Sequence, residues 1–296
     1  MTMRIAISGS SGFLGNALVA RLEGEHEVIR LVRRPAASPL ERRWDPVAGF
    51  VESLGLTDID AVINLSGAGI ADRRWSAARR RELLMSRVQA TRSLATLIAA
   101  EDRPSVFLSG SAVGFYGVHA EAVSDETAPA GSDFLADLCR QWESAAAGAG
   151  VRTVHLRTGL PLDRSGGFLG KLLPLFSLGL GGPMGDGSQW VPWIALEDWV
   201  NAVAHLLTAD VQGPVNLTAP SPVTNAEFTT ELAEQLGRPA NVPVPLPLLR
   251  VMFGNQLVDE ALLASQQVVP AALLESGYEF SHWLLPSALS AALSRS

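Results

Sequence analysis

Three glycines spaced three residues apart, Gly9, Gly12 and Gly15, follow the first apolar segment of the chain. That segment, Arg4–Ser8, has the pattern of a short strand, and Phe13–Leu22 after the loop has helical spacing of apolar residues. In this context the first glycine permits a tight turn, the second lets backbone approach a pyrophosphate, and the third lets the helix pack closely on the sheet. The loop therefore predicts a bound dinucleotide, with a purely structural turn as the alternative.

Two arginines, Arg33 and Arg34, stand at the end of the second predicted strand, Val28–Val32. An acidic residue here would bind the adenosine ribose 2′-hydroxyl and repel a 2′-phosphate. Guanidinium groups instead favour a 2′-phosphate through charge-assisted contacts, and no carboxylate follows until Glu41. The pattern predicts NADP(H) rather than NAD, unless one or both arginines are solvated surface charge.

The elements that position these residues alternate regularly between strand and helix over residues 1–160. This alternation predicts an α/β fold with a Rossmann-type doubly wound parallel sheet, which binds ligands at the carboxyl ends of its strands. The predicted strands are Arg4–Ser8, Val28–Val32, Ala61–Leu65, Val106–Leu108 and Val151–Leu156, and the helices are Phe13–Leu22, Ser76–Ala100 and Phe134–Ala149.

The alternation loosens beyond residue 160. Ser165–Gly187 holds eight glycines and two prolines, so we expect no single regular element there. Val242–Leu248 carries three prolines and is predicted to be extended. Helical spacing returns at Leu196–Thr208, Asn225–Leu236 and Leu284–Leu293.

We therefore expect an NADP-binding core over residues 1–160. Residues 161–296 would form mostly a smaller C-terminal substrate-binding lobe, with about 190–220 returning to the core. The glycine-rich segment would then cover the site as a lid.

The bulk properties narrow the class of protein. The 296 residues are 47% hydrophobic and 18% charged, which is typical of a globular chain. A net charge of −7 argues against nucleic-acid binding, which depends on phosphate neutralisation. One cysteine, Cys139, excludes an intramolecular disulfide and fits a reducing compartment. No apolar run is long enough to span a membrane, and the five histidines lack metal-ligand spacing, so we expect a cytoplasmic protein without a metal.

Several longer motifs resemble a known group, the extended short-chain dehydrogenases/reductases. More narrowly, the chain resembles their atypical, sugar-nucleotide epimerase-like family, and the resemblance runs over nearly the whole sequence. The motifs are Asn64-Leu-Ser-Gly-Ala, Ser86-Arg87-x3-Thr91, Ser109-Gly-Ser111 leading to Tyr116-Gly117, Trp142-Glu143, Arg157-Thr-Gly-Leu-Pro-Leu, Gln189-Trp190 with Trp193-Ile194-x3-Asp198, and Ala264-Ser265-Gln266-x-Val-Val-Pro270.

The resemblance implies NADP(H) in the groove and names the residues that would contact it. They are Gly9, Ser11, Gly12, Phe13, Leu14, Gly15, Arg33, Arg34, Leu65, Ser66, Glu82, Arg87, Ser109 and Leu160.

Active members of this superfamily use a Tyr-x-x-x-Lys pair on the helix after the fourth strand, and this chain has neither residue there. The resemblance implies that Ser111, at the end of that strand, orients the substrate oxygen. Tyr116 follows in the loop and could face the nicotinamide. In the competing interpretation, Ser111 caps a turn and Tyr116 only packs.

Three functions remain open. The first is an NADP-dependent, epimerase-like oxidoreductase acting on a small molecule, with Trp190 and Trp193 forming an aromatic wall of the pocket or packing in the core. The second is a non-catalytic NADP(H)-binding sensor or scaffold. The third is an epimerase that binds a substrate diphosphate through Arg157 or Arg164.

The helices Ser76–Ala100 and Phe134–Ala149 could pair in a homodimer, unless Arg79–Arg81 keep that face in water.

Overall fold

The computed structural model describes residues 2–118, 122–240 and 242–294. An eight-stranded sheet dominates it, with the strand order β11-β7-β6-β5-β1-β2-β3-β4. Every neighbouring pair in this sheet is parallel except β3 and β4. In chain order the strands of the described residues are β1 (Arg4–Ser8), β2 (Glu27–Val32), β3 (Glu41–Asp45), β4 (Phe50–Val51), β5 (Ala61–Asn64), β6 (Val106–Ala112), β7 (Arg152–Thr158), β8 (Leu160–Asp163), β9 (Trp190–Val191), β10 (Trp193–Ala195), β11 (Gly213–Leu217) and β12 (Val223–Thr224).

Helices cover both faces of the sheet. In chain order they are α1 (Phe13–Leu22), α2 (Ala77–Ala99), α3 (Phe134–Ser144), α4 (Gly167–Ser177), α5 (Leu196–Leu206), α6 (Asn225–Leu236), α7 (Leu246–Phe253), α8 (Asn255–Leu257), which continues as a π-helix over Val258–Leu262, α9 (Ala271–Glu275) and α10 (Leu285–Ser294). None of these helices is long and apolar enough to cross a membrane.

Alternate residues of the central strands point to opposite layers, as the pleat requires. Ile5 and Ile7 of β1 join the core formed with α1 and α5, which includes Trp199. Ala6 between them joins the core on the other face, where α2 contributes Leu94. The predicted doubly wound α/β fold is confirmed.

The part of the chain beyond residue 160 is shared between the sheet and a smaller lobe. β11 pairs with β7 in the main sheet, and α5 packs against α1. The lobe has its own core, in which α4, α6 and α10 surround Phe228. The two short pairs β8·β10 and β9·β12 lie within it.

Two stretches differ from what the sequence predicted, and a third is more regular in part than its glycines suggest. Residues 41–51 form the strands β3 and β4, which we did not predict because Glu41-Arg-Arg-Trp-Asp45 is mostly charged. The glycine-rich segment Ser165–Gly187 is not a single regular element, as expected, but it contains α4, with Pro174 inside the helix. The extended prediction for Val242–Leu248 is wrong beyond Pro245, because α7 begins at Leu246 and its Pro247 lies in the first turn, where no amide donor is needed.

Candidate functional site

The glycine loop between β1 and α1 is shaped by close backbone contacts. Gly9 has a φ of +73°, and a Cβ on it would lie 2.7 Å from the Leu65 carbonyl. A Cβ on Gly15 would lie 2.1 Å from the Gly9 carbonyl oxygen, so only glycine lets α1 approach the loop this closely. Gly12 is the N-cap of α1, which has no side-chain cap and no acidic residue in its first turn. The helix N-terminus therefore keeps amides available for an anion.

The loop also contacts the C-terminal part of the chain. Phe13, the first residue of α1, lies against Gly166 and Gly167, where added Cβ atoms would come within 2.7 Å and 2.9 Å of its ring. Ser11 is exposed, and Leu14 packs against the core beneath the loop. The phosphate loop and the start of α4 thus form two sides of one groove.

The two arginines after β2 have different surroundings, although both are exposed. Arg34 donates two hydrogen bonds to the Glu41 carboxylate, at 2.6 Å and 2.8 Å. This pair lowers the pKa of Glu41 to about 2. Arg33 makes no hydrogen bond or ion pair with any described residue. Arg33 is therefore the guanidinium that remains available to a 2′-phosphate.

A second guanidinium lies under the loop that follows β5. Arg87 of α2 is buried, and a Cβ on Gly67 of that loop would lie 3.0 Å from its Cζ. Its cation lies 5.0 Å from the centre of the Trp142 ring and donates to the Leu83 carbonyl at 3.0 Å. No described carboxylate pairs with it, and burial lowers its pKa to about 10. A buried cation without a counter-ion fits an anionic ligand in this groove.

Polar side chains hold the same loop from below. The Asn64 side chain at the end of β5 accepts from Ser8 Oγ at 2.6 Å and from the amide of Ser66 at 3.1 Å. It donates to Thr91 Oγ1 at 2.8 Å, which also accepts from the Trp142 indole at 2.9 Å. Sequence reasoning gave Asn64 and Thr91 no role, but both belong to the motifs that carried the family resemblance.

The other residues that the resemblance implies as cofactor contacts lie at different places in the fold. Leu65 lies next to Gly9, and Leu160 begins β8. Ser109 on β6 is fully buried, and its hydroxyl has no partner among the described residues. Glu82 is on the exposed face of α2 and pairs with Arg79 at 2.9 Å. Arg79 itself is buried and donates to the Gly69 carbonyl, so the arginine run is not wholly a solvated face.

The two candidate catalytic hydroxyls belong to one buried network. Ser111 donates to Glu143 at 2.6 Å, and Arg157 binds both oxygens of the Glu143 carboxylate at 2.9 Å and 3.0 Å. Arg157 also donates to the Tyr116 hydroxyl at 3.0 Å, and that hydroxyl donates to Asn216 at 2.7 Å. Burial raises the pKa of Tyr116. The sequence suggested Ser111 and Tyr116, whereas the link through Glu143 and Arg157 depends on tertiary contacts it does not show.

A cavity of about 410 Å³ lies between the sheet edge and the lobe. Val113 borders it on the core side, and Leu160 and Trp190 border it on the lobe side. Trp193, expected beside Trp190 in the pocket wall, does not line it. Its side chain is 1% exposed in the lobe core, and its indole donates to the Ser221 carbonyl at 3.0 Å.

The strand order, the glycine loop and the two cations together define a dinucleotide-binding protein of the doubly wound α/β class. Residues 5–218 match the model of the NAD dependent epimerase/dehydratase family, and residues 244–292 match that of a domain of unknown function. The chain therefore belongs to the NAD dependent epimerase/dehydratase family. The predicted resemblance to the atypical, epimerase-like short-chain dehydrogenases is confirmed.

Known proteins support the same placement. An epimerase family protein of Mycobacterium tuberculosis, MT2273, is 43% identical over 296 residues, which cover 98% of each chain. The crystal structure of the human epimerase family protein SDR39U1 with NADPH is 37% identical and covers 99% of this chain and 100% of that one, with a TM-score of 0.91. A nucleoside-diphosphate sugar epimerase from Corynebacterium glutamicum is 35% identical, with a TM-score of 0.80; the match covers 99% of this chain and 58% of that one.

Proposed function

We propose that the protein is an NADP(H)-dependent oxidoreductase that acts on a small molecule bound in the 410 Å³ cavity. The observation that supports this proposal is that the cavity adjoins the cofactor groove. Gly167 and Leu160 line the cavity, and Gly167 also contacts Phe13 of the phosphate loop. A pocket beside a nicotinamide site, at the carboxyl ends of parallel strands, is where a doubly wound enzyme holds its substrate.

The cofactor is NADP(H). Arg33 is free to bind a 2′-phosphate, and the unpaired, buried Arg87 lies under the loop that would border the dinucleotide. The human relative was crystallised with NADPH, which agrees with this choice. Gly9, Gly12 and Gly15 would hold the pyrophosphate against the N-terminus of α1.

NADPH, when bound, would supply a hydride; reduction of a carbonyl would add the hydride to carbon and a proton taken from solvent water to oxygen, and would leave NADP⁺. Ser111 is the residue of this chain that we assign to the substrate oxygen. Its hydroxyl donates to Glu143 and does not line the cavity, so it would have to turn away from that carboxylate to donate to a ligand. Tyr116 is a weaker candidate for the proton donor, because both its donor and acceptor are used and burial raises its pKa. We assign it to positioning Arg157 in the network.

The test is hydride transfer. Purified protein with NADPH is screened against aldehydes, ketones and enones, and NADPH consumption is followed by absorbance. We expect turnover that Ser111→Ala reduces by about 10²-fold or more, the usual cost of removing one hydrogen-bond donor to a reacting oxygen. Turnover that survives Ser111→Ala combined with Tyr116→Phe would show that the site is assigned to the wrong residues.

One observation favours a second function, a non-catalytic NADP(H) sensor or scaffold. α3 carries neither Tyr nor Lys, and its Leu135 and Cys139 pack against Gly114 in the loop after β6. Burial raises the pKa of Cys139 to about 12, so its thiol is not a proton relay near neutral pH. Tight NADPH binding with no turnover across the panel would support this function and contradict the first.

A further inference from the structure

We infer that the cavity takes an uncharged, mainly apolar compound with one polar group, such as a medium-chain ketone, and not a nucleoside diphosphate sugar. The inference rests on the proposed function only in placing the substrate in this cavity. It follows from the side chains that line the cavity and from where the nearby charges are.

Most lining side chains are hydrocarbon. α4 presents Leu172 and Leu175, and α7 presents Leu249 and Phe253. The π-helix that follows α8 adds Leu262. Such walls favour a ligand that removes apolar surface from water and offer nothing to a hydroxyl-rich sugar ring.

The charged lining residues are Asp72 and Lys171, and they neutralise each other at the mouth. Their side chains are 60% and 59% exposed, and Lys171 Nζ lies 3.9 Å from Asp72 Oδ1. The Lys171 ammonium also donates to the Ala71 carbonyl at 3.2 Å. The described residues that line the interior therefore include no cation for a diphosphate, whose two negative charges need paired donors.

The arginines that sequence analysis offered to a diphosphate do not line the cavity. Arg157 is 3% exposed, and the Glu143 carboxylate neutralises it. Arg164 donates to the Leu293 carbonyl at 3.0 Å, on the side of α10. A diphosphate in the cavity would have to recruit a cation already committed elsewhere.

The polar groups that do reach the interior are neutral amides. Gln189, Asn225 and Gln266 line the cavity and are nearly buried. Gln266 is fixed by its donation to the Gly117 carbonyl at 2.7 Å, beside the loop that carries Tyr116. Neutral amides can satisfy one carbonyl or hydroxyl of a ligand without demanding a charge.

Binding of two probes tests the inference. 2-Decanone and UDP-glucose are each titrated into the protein saturated with NADP⁺, so that no reduction occurs. Binding is followed by melting temperature and by the summed fluorescence of the seven tryptophans, of which Trp190 lines the cavity. We expect 2-decanone to raise the melting temperature and change the fluorescence, and UDP-glucose to do neither. Binding of UDP-glucose, or a failure of 2-decanone to bind, would overturn the inference.

Two adjacent variants of α7 provide a matched pair. Leu249→Glu puts a carboxylate into the cavity wall, whereas Leu248→Glu changes a neighbour that is 52% exposed and does not line the cavity. We expect Leu249→Glu to weaken 2-decanone binding at least about tenfold and Leu248→Glu to leave it unchanged, because only the first desolvates a charge. NADPH affinity should be unchanged in both. Equal effects of the two variants would contradict the inference.

Ligand binding and NADPH consumption, measured separately, distinguish a failure of the ligand class from a failure of the oxidoreductase proposal. If 2-decanone binds as described but NADPH is not consumed with any carbonyl, the ligand class stands and the oxidoreductase proposal fails. If NADPH is consumed only with a nucleoside diphosphate sugar, the oxidoreductase proposal stands and the ligand class fails.

Discussion

The two arginines after β2 differ in their ion-pair partners. Glu41 neutralises Arg34, whereas Arg33 has no partner among the described residues. The carboxylate belongs to β3, a strand that hydrophobic pattern did not predict, so the sequence could suggest a pair of phosphate-binding arginines but not rank them.

We predict that Arg33→Ala weakens NADPH binding by about 10-fold or more, because a charge-assisted contact is worth about 1.5–3 kcal/mol. NADH binding should change little, since NADH lacks the 2′-phosphate. Arg34→Ala is the control and should cost less than about threefold. Fluorescence titrations of both cofactors measure the effects, and equal losses for NADPH and NADH would show that Arg33 does not read the phosphate.

Substituting Arg87 should weaken NADPH binding without lowering the stability of the free protein. Arg87→Met keeps a long side chain over Trp142 and removes a buried cation that has no counter-ion. We expect the melting temperature of the free protein to stay the same or rise, because the desolvation penalty disappears. The stabilisation added by NADPH should shrink. A large fall in the melting temperature without cofactor would mean that Arg87 is a structural residue.

At the scale of elements, the junction of β1 and α1 depends on one close approach. In Gly15→Ala the added methyl would lie 2.1 Å from the Gly9 carbonyl oxygen, so the helix must move away from the loop. We predict a loss of about 1–3 kcal/mol in the free energy of unfolding and at least a tenfold loss in NADPH affinity. Gly24→Ala, which meets no atom within 4 Å, is the control. Denaturant unfolding and cofactor titration check both.

The elements were predictable where burial imposes a regular pattern. α1 and α6 have the predicted bounds, and β1 does as well, because their apolar spacing and glycine or capping signals agree. β3 buries Arg42 beside Trp44 on one face and carries Glu41, Arg43 and Asp45 on the other, so its apolar pattern is weak. α4 was hidden by glycines that pack against Phe13 and by Pro174.

The site was predictable only where a local motif carries it. The glycine loop forms a continuous segment, but the bond between Ser111 and Glu143 joins residues 32 apart, and Tyr116 meets Asn216 across 100 residues. Such pairings depend on strand order, which no local pattern encodes. For the same reason Trp190, which lines the cavity, could not be distinguished by sequence from Trp193, which lies in the lobe core.

One buried carboxylate joins the C-terminal segment to α5, which packs on the main sheet. Asp198 of α5 accepts from the amides of Ser281 and His282 at 2.7 Å and 3.0 Å, and from the Tyr278 hydroxyl at 3.1 Å. Asp198→Asn leaves one amide without an acceptor, so we predict a loss of about 1–3 kcal/mol in stability. Thermal melting measures the loss of stability. A separate titration of folded protein should show that NADPH affinity is retained.

The same residue predicts a pH dependence. Burial raises the pKa of Asp198, so the folded protein holds this proton more tightly than the unfolded chain. Its contribution to stability is therefore complete below the unfolded pKa and is lost as the pH rises through the folded pKa. Melting temperatures measured from acidic to neutral pH should fall less steeply in Asp198→Asn. Parallel curves for the variant and the natural protein would contradict this.

The strand order also bears on how the chain assembles during synthesis. β1 to β7 all lie within the first 158 residues and are contiguous in the sheet, whereas β11, which pairs with β7, begins at residue 213. The nascent chain can therefore form the seven-stranded sheet and its phosphate loop before β11 leaves the ribosome. The outer edge of β7 stays unpaired in that interval and exposes backbone groups that could pair with a strand of another chain.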